Sequence, residues 1–205
     1  MENRVRRPEG CTMLHVAELK NTESAITYGE QERLYGLEEI SCTYNYAEGA
    51  AYSDNQQDTS IRRPSSAELE IKIRQLSPKT EARLMGKRYV KGKKVTSTND
   101  TAPPWAVSYR QTNSDGSYTN KLFYNCTVSR EEGTITTVKD GIEYDVVTLK
   151  VKALPLPNGD LDLEFDNDAD GVTEKDLTDF FKTVMMPPTE DQEGVTVTKA
   201  DLRKK

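Results

Sequence analysis

The chain has 205 residues, of which 35% are hydrophobic, and a formal net charge of -6 at pH 7. That length suits one β-rich domain with a modest core, and the acidic balance argues against a general nucleic-acid binder. A single histidine and a single tryptophan beside ten tyrosines are a poor inventory for acid–base chemistry. The three cysteines, Cys11, Cys42 and Cys126, are odd in number and too far apart for a CxxC metal site. They read as reduced thiols of a cytosolic product.

Residues 1–11 read as an N-terminal arm: polar, carrying Arg4, Arg6 and Arg7, with nothing to bury and no apolar run that would make a signal peptide. No stretch is long and apolar enough to span a bilayer as a helix. Thr12 to Leu19 alternates as a first strand, with Leu14 and Val16 on one face and Met13, His15 and Ala17 on the other. His15 has no cysteine or carboxylate at ligand spacing, so we expect a half-exposed strand residue rather than a ligand. Asn21 to Gly36 is turn-rich, with one short extended piece around Ile26 and Tyr28. Leu37 to Tyr46 is a second strand, placing Ile40, Cys42, Tyr44 and Tyr46 on one face. From Gly49 to Pro64 only Ile61 adds a large apolar residue to Ala50, Ala51 and Tyr52. This piece reads as a long loop or a protruding hairpin tip, the kind of segment that serves interaction.

Ala67 to Gly86 carries the strongest signals. Leu69, Ile71 and Ile73 point one way and Glu68, Glu70, Lys72 and Arg74 the other, which is a strand with one buried and one wet face. Ser77 then caps a short helix, Pro78 suits its first turn, and Gly86 takes the left-handed stop. Lys87 to Val95 is a basic run around one glycine and reads as a tight hairpin. A nucleic-acid site there would have only Tyr89 to stack on. Asn99 to Pro104 is a loop. Trp105 to Thr112 and Ser117 to Arg130 form a hairpin about Asn113-Ser-Asp-Gly116, with Leu122, Tyr124, Cys126 and Val128 expected on one face. Glu131 to Gly133 turns, and Thr134 to Val138 is β-branched. Tyr144 to Leu154 is a further strand with Val147, Leu149, Val151 and Ala153 buried.

Pro155 to Asp170 reads as loop. Within it, Asp166, Asp168 and Asp170 precede Gly171 at the alternate spacing of a calcium loop. The pattern fails at its twelfth position, Leu177, where a bidentate glutamate belongs, so calcium is a weak candidate beside an acidic helix start that complements the helix dipole. Thr173 and Asp176 make a capping box, and Leu177, Phe180, Phe181, Val184 and Met185 form one apolar stripe. This predicts a helix over about 173–185, ended by Pro187-Pro188. Residues 189–205 read as a polar tail.

No phosphate loop, GxSxG, HExxH or Cys–His pair occurs, so the expectation is no enzyme and no cofactor. The fold class expected is mainly β with some α: a β-sandwich or barrel of about seven antiparallel strands, one helix packed at about 77–86 and another near the C-terminus. It forms a single domain over 12–188. Charge is segregated. Residues 61–96 hold 11 Lys and Arg against 3 Asp and Glu, whereas residues 158–201 hold 13 Asp and Glu against 3 Lys and Arg. Two such poles are either solvated faces or suited to head-to-tail contacts between copies.

The order of several short runs resembles the major tail proteins, or tail-tube proteins, of long non-contractile-tailed bacteriophages of Gram-positive hosts. The runs are His15-Val-Ala-Glu-Leu19, Ile26-Thr-Tyr-Gly29, Ala51-Tyr-Ser-Asp-Asn55, Ala67-Glu-Leu-Glu-Ile71, Leu84-Met-Gly86, Ala102-Pro-Pro-Trp-Ala106 and Phe180-Phe-Lys-Thr-Val-Met-Met-Pro187. The arginine-bearing arm and the acidic tail depart from the family pattern.

The resemblance implies a structural virion protein, made in the host cytoplasm, that self-assembles into hexameric rings. The rings stack into a tail tube around a tape-measure protein, between tail-initiation (baseplate) and tail-terminator proteins. Inner strands of neighbouring subunits close a continuous lining, and double-stranded DNA passes through at genome ejection without specific binding. On this reading Tyr52, Asp54, Asn55, Gln56, Gln57 and Asp58 lie in an inter-subunit loop over 49–64, and Glu68 and Glu70 are candidates for a polar to acidic lumen face. The alternative from another class is a β-sandwich carbohydrate- or receptor-binding module with Tyr44, Tyr46 and Tyr52 as its platform.

Overall fold

The computed structural model describes residues 6–22, 25–53, 56–74, 76–130 and 146–187; over 21–22 and 49–61 it describes the backbone alone. The elements are β1 (Pro8–Thr22), β2 (Ala25–Tyr28), β3 (Glu32–Arg33), β4 (Leu37–Ser53), β5 (Gln56–Ile73), α1 (Pro78–Leu84), β6 (Arg88–Val90), β7 (Lys93–Val95), β8 (Pro104–Asn113), β9 (Tyr118–Arg130), β10 (Val147–Leu154), β11 (Asp162–Asp166) and α2 (Glu174–Asp179). The fold is mainly β with two short helices, as expected. One sheet runs β2-β1-β8-β9-β10-β5-β4, with β3 also on β1 and β11 also on β9, while β6 and β7 pair as a separate hairpin. All these pairings are antiparallel.

The sheet curls into an open barrel because alternate residues of six strands share one core. Leu14 and Val16 of β1, Leu69 and Ile71 of β5, Trp105 and Val107 of β8, Cys126 and Val128 of β9, and Leu149 and Val151 of β10 are all buried there, and Ile40, Cys42 and Tyr44 of β4 pack against them. The alternating pattern of β5 and β10 is therefore as the sequence reads. The flanks β1 and β4 approach at the seam, where the Cys11 Sγ lies 4.0 Å from the Glu38 carbonyl. Among the described residues no ladder crosses that seam.

Helix α1 closes one end. The Ser77 Oγ accepts from Thr80 N at 3.1 Å, and Trp105 Nε1 donates to the Leu84 carbonyl at 3.2 Å. Gly86 has φ +64, and a Cβ there would sit 1.9 Å from the Thr101 carbonyl oxygen. Both the left-handed turn and the close approach exclude any other residue.

A second apolar cluster lies outside the barrel. Ala17, Ala106, Leu122, Tyr124, Leu156 and Phe180 are buried together, with Leu163, Phe165, Phe181, Val184 and Met185 packed on them. Four expectations change here. β11 occupies part of the stretch read as loop; its acidic Asp-Leu-Glu-Phe-Asp hides a strand whose Leu163 and Phe165 cover the outside of the sheet. The capping box of α2 is present, but the helix ends at Asp179 rather than near 185, and the rest of the apolar stripe packs as irregular chain. In β9, Leu122 and Tyr124 join the outer cluster whereas Cys126 and Val128 join the core, because the register shifts between Trp105↔Cys126 and Val107↔Phe123. That shift is a bulge, and a bulge swaps which residues face in. Finally β1 starts at Pro8, so residues 8–11 of the expected arm are strand. The expected strand at 134–138, the turn at 131–133, and the tail 189–205 lie outside the described residues.

Candidate assembly surface

The segment 49–64, expected as loop or hairpin tip, is the distal part of the β4–β5 hairpin. Strand pairing continues from Tyr46↔Pro64 to Ser53↔Gln56, so the ribbon is about 25 Å long at roughly 3.3 Å per residue. It has left the barrel by then: the pairing of β10 with β5 ends at Ala67. Pro64 sits where β5 has lost that second partner, which is where a strand tolerates proline. Ser65 is bulged out of the ladder, with its Oγ donating to the Asn45 carbonyl at 3.1 Å. At the base of the ribbon the Arg62 guanidinium lies 4.1 Å from the centre of the Tyr46 ring and its Nε is 3.4 Å from Glu48 Oε1. Of the loop residues named from the sequence, Tyr52, Gln56, Gln57 and Asp58 are strand in their backbone, and Asp54 and Asn55 lie outside the described residues.

Glu68 and Glu70 are on the outer, wet face of β5. That face is not acidic. Lys150 Nζ lies 2.5 Å from Glu70 Oε2, Lys72 Nζ is 2.8 Å from Glu39 Oε2, and Asn45 Nδ2 donates to Glu68 Oε1 at 3.2 Å. Lys152 stands opposite Glu68 in register. The hydrogen bond and charge of Lys150 hold the Glu70 carboxyl below its ordinary range, and those of Glu39 raise Lys72. The face that carries Glu68 and Glu70 is thus polar and charge-balanced. Lys72 and Arg74, which share this face of β5 in the sequence, supply part of that balance, and Lys150 and Lys152 of the neighbouring strand β10 supply the rest.

The calcium candidate is corrected by the arm. Arg6 Nη1 lies 2.7 Å from Asp166 Oδ2 and Nη2 is 2.5 Å from Asp168 Oδ2, with Nε 3.5 Å from Asp115 Oδ2. Thr119 Oγ1 donates to Asp166 Oδ1 at 2.5 Å. A guanidinium thus holds two of the three carboxylates, and among the described residues no cluster of three or more metal-ligating side chains is found. Asp170 stands outside this clasp and is exposed.

His15 is 6% exposed, not half-exposed. It lies between the inward Leu14 and Val16, so its ring faces outward as the alternation predicts, and there it packs 4.6 Å from the Phe181 ring. Its Nδ1 donates to the Met13 carbonyl at 2.7 Å, and burial holds it below its usual pKa. Tyr44 faces the core, with its hydroxyl donating to Asp162 Oδ2 at 2.9 Å, which withdraws it from any exposed tyrosine platform.

The Lys87–Val95 hairpin is present as β6 and β7, with Lys91 and Gly92 at φ 47 and 79, the positive pair that a two-residue turn matched to strand twist requires. What seats it was not expected. Glu81 of α1, 6% exposed, receives Lys94 Nζ at 2.6 Å and Arg130 Nη1 at 3.2 Å. Burial by itself raises this carboxyl, but the two cations outweigh it and hold it below the ordinary range. A signal was available, since Glu81 is the only acid between residues 71 and 99.

No protein-family model matches the chain, and no curated protein matches it. Among the described residues no helix is long and apolar enough to cross a membrane.

Proposed function

We propose that the chain is a tail-tube subunit, the major tail protein of a long non-contractile-tailed bacteriophage, which assembles as stacked hexameric rings around a tape-measure protein. The observation that carries this reading is the β4–β5 ribbon. A two-stranded ribbon is marginal in water by itself, and beyond Ala67 neither of its outer edges has a ladder partner among the described residues. Such edges invite another chain, and a folded protein that keeps them is built for a neighbour to cover. β4 is also the last strand of the sheet along its length, so a second copy can extend the sheet there.

The wet face of β4, β5 and β10 suits a lumen on this reading. Its lysines are matched by glutamates across the strands. A passing duplex therefore meets no free row of cations, and phosphate contacts of that kind are what make DNA stick. Baseplate and terminator proteins bound the tube, and its place is the virion tail after assembly in the host cytoplasm. The binding-module alternative has lost Tyr44 to the core, and of its other two tyrosines Tyr46 is exposed with Arg62 over its ring while the side chain of Tyr52 lies outside the described residues.

The test is to replace residues 48–62 by Asn-Gly, closing the hairpin between the paired residues Ala47 and Arg63. The shortened chain is expected to keep the circular dichroism and cooperative melting of the parent while forming no rings or tubes by negative-stain microscopy. Tubes of normal diameter and length from this variant would sink the reading.

A further inference from the structure

A basic hairpin and an acidic turn, one from each charged block of the sequence, lie at opposite ends of one strand. At the start of β9, Thr119 pairs with Asp166 and the turn 166–170 packs beside it. At its end, Arg130 reaches Glu81, which also holds Lys94 of β7. Eleven residues separate Thr119 from Arg130, or about 35 Å at roughly 3.3 Å each. The β6–β7 hairpin thus stands at one end of the barrel and the acidic turn at the other.

Each pole has unspent charge. Arg88, Lys91 and Lys93 are exposed and make no ion pair among the described residues, while Lys94 is spent on Glu81. The hairpin also shows apolar surface that none of the described residues covers: Tyr89, Val90 and Val95 are 40%, 51% and 38% exposed. A purely solvated charged hairpin has no need of that patch. At the far pole Asp170 and Glu174 are exposed and outside the Arg6 clasp.

We infer that the β6–β7 hairpin of one copy docks on the 168–174 acidic turn of the next. The contact is heterologous, so it does not close on itself in a pair and instead propagates along an axis. Its apolar centre with a charged rim is the usual anatomy of a specific contact, and the paired charges set polarity and register. In a tube this contact joins ring to ring, whereas the β4 edge and the ribbon serve neighbours. It rests on the tube reading only for what the joined copies go on to build.

Two variants test it: Lys91→Glu with Lys93→Glu at the basic pole, and Asp170→Lys with Glu174→Lys at the acidic pole. None of these four side chains is in the core or in an ion pair described above. Each variant alone is expected to raise the concentration needed for association by at least about a hundredfold, since like charges then face each other. Mixed in equal amounts, the two are expected to associate again, because every contact between unlike copies pairs opposite charges. A chain carrying all four changes is also expected to recover. Sedimentation velocity and light scattering at low and high salt read these outcomes.

Single-pole variants that associate like the parent overturn the inference and leave the tube reading standing. A parent that builds no rings, together with variants that pair only when mixed, upholds the contact and overturns the tube reading. A mixture that stays monomeric overturns the contact. Association unchanged, with salt-sensitive duplex-DNA retention lost in the basic-pole variant, also overturns it and assigns the hairpin to phosphates instead.

Discussion

The outer surface of the barrel has two halves that face opposite fates. Over β4, β5 and β10 the outward residues are polar and wet, and charges are matched from strand to strand by Lys72–Glu39 and Lys150–Glu70. Over β1, β8 and β9 the outward residues Ala17, Ala106, Leu122 and Tyr124 are 0–1% exposed, beneath β11 and the segment after α2. One sheet therefore carries a one-sided region and a two-sided one. The lesson is that β11 and the segment after α2 set the difference: where they lie down the surface is spent on folding, and where they do not the surface stays wet among the described residues.

The sharpest way to break that contrast is to lift the cover. Phe180 is 1% exposed and meets Phe165 and Phe181 edge-on at 5.3 and 4.8 Å. Phe180→Ala is expected to cost about 3–5 kcal/mol in urea unfolding, the range for a buried aromatic truncation. A loss under about 1 kcal/mol would mean the segment is merely laid on the sheet and the two halves differ less than described.

Glu81 stands where the two halves meet at the end of β9, and its removal should matter less. Glu81→Gln leaves Lys94 and Arg130 without their carboxylate, but both are partly exposed and can hydrate, so about 2 kcal/mol is expected. The carboxyl is depressed in the folded chain. Its contribution is therefore complete above the unfolded value of about 4.3 and is lost as pH falls through the lower folded value. The stability gap between parent and variant should hold from neutral pH down to about 5 and shrink below about 4; a gap that persists at lower pH would assign the effect to packing.

The smallest effect belongs to the wet half. Glu70→Gln removes one member of a solvent-screened pair, and such pairs contribute little to folding. The unfolding midpoint is expected not to move. A clear drop would mean this face is held together by its charges, and a role for it in passage of DNA would lose its simplest argument.

The same contrast explains what was legible in the sequence. In the one-sided half the alternation of Glu68 to Arg74 gives strand, faces and core together, and Val147 to Ala153 repeats it, because burial there follows period two. In the two-sided half alternation carries no information: Trp105 to Tyr109 is buried at every position. The bulge of β9 opposite Ala106 swaps faces without any sequence mark. Local chemistry read well throughout, as in Ser77-Pro78, Gly86, Lys91-Gly92 and Thr173 with Asp176, since caps and turns depend on a few neighbouring residues. The partners that matter at the candidate surface did not read. Arg6 with Asp166 is 160 residues apart in the chain, and the lysines facing Glu68 and Glu70 come from β10. The ribbon was half legible: its polarity marked a protrusion, while its backbone pairing depends on a register that a low-hydrophobicity strand specifies weakly.

The position of β1 has a temporal consequence. As the chain is synthesised this strand is made before the other described elements, yet its principal neighbour is β8, whose register joins Val16 to Val107 and Cys11 to Gln111. The clasp of Arg6 waits longer still, for Asp166 and Asp168. Contacts of such sequence separation fold slowly. On the ribosome β4 and β5 can close locally while β1 is still alone. β4 and β5 are thus paired before β1 is fixed at the seam, and the ribbon can form before the barrel is complete.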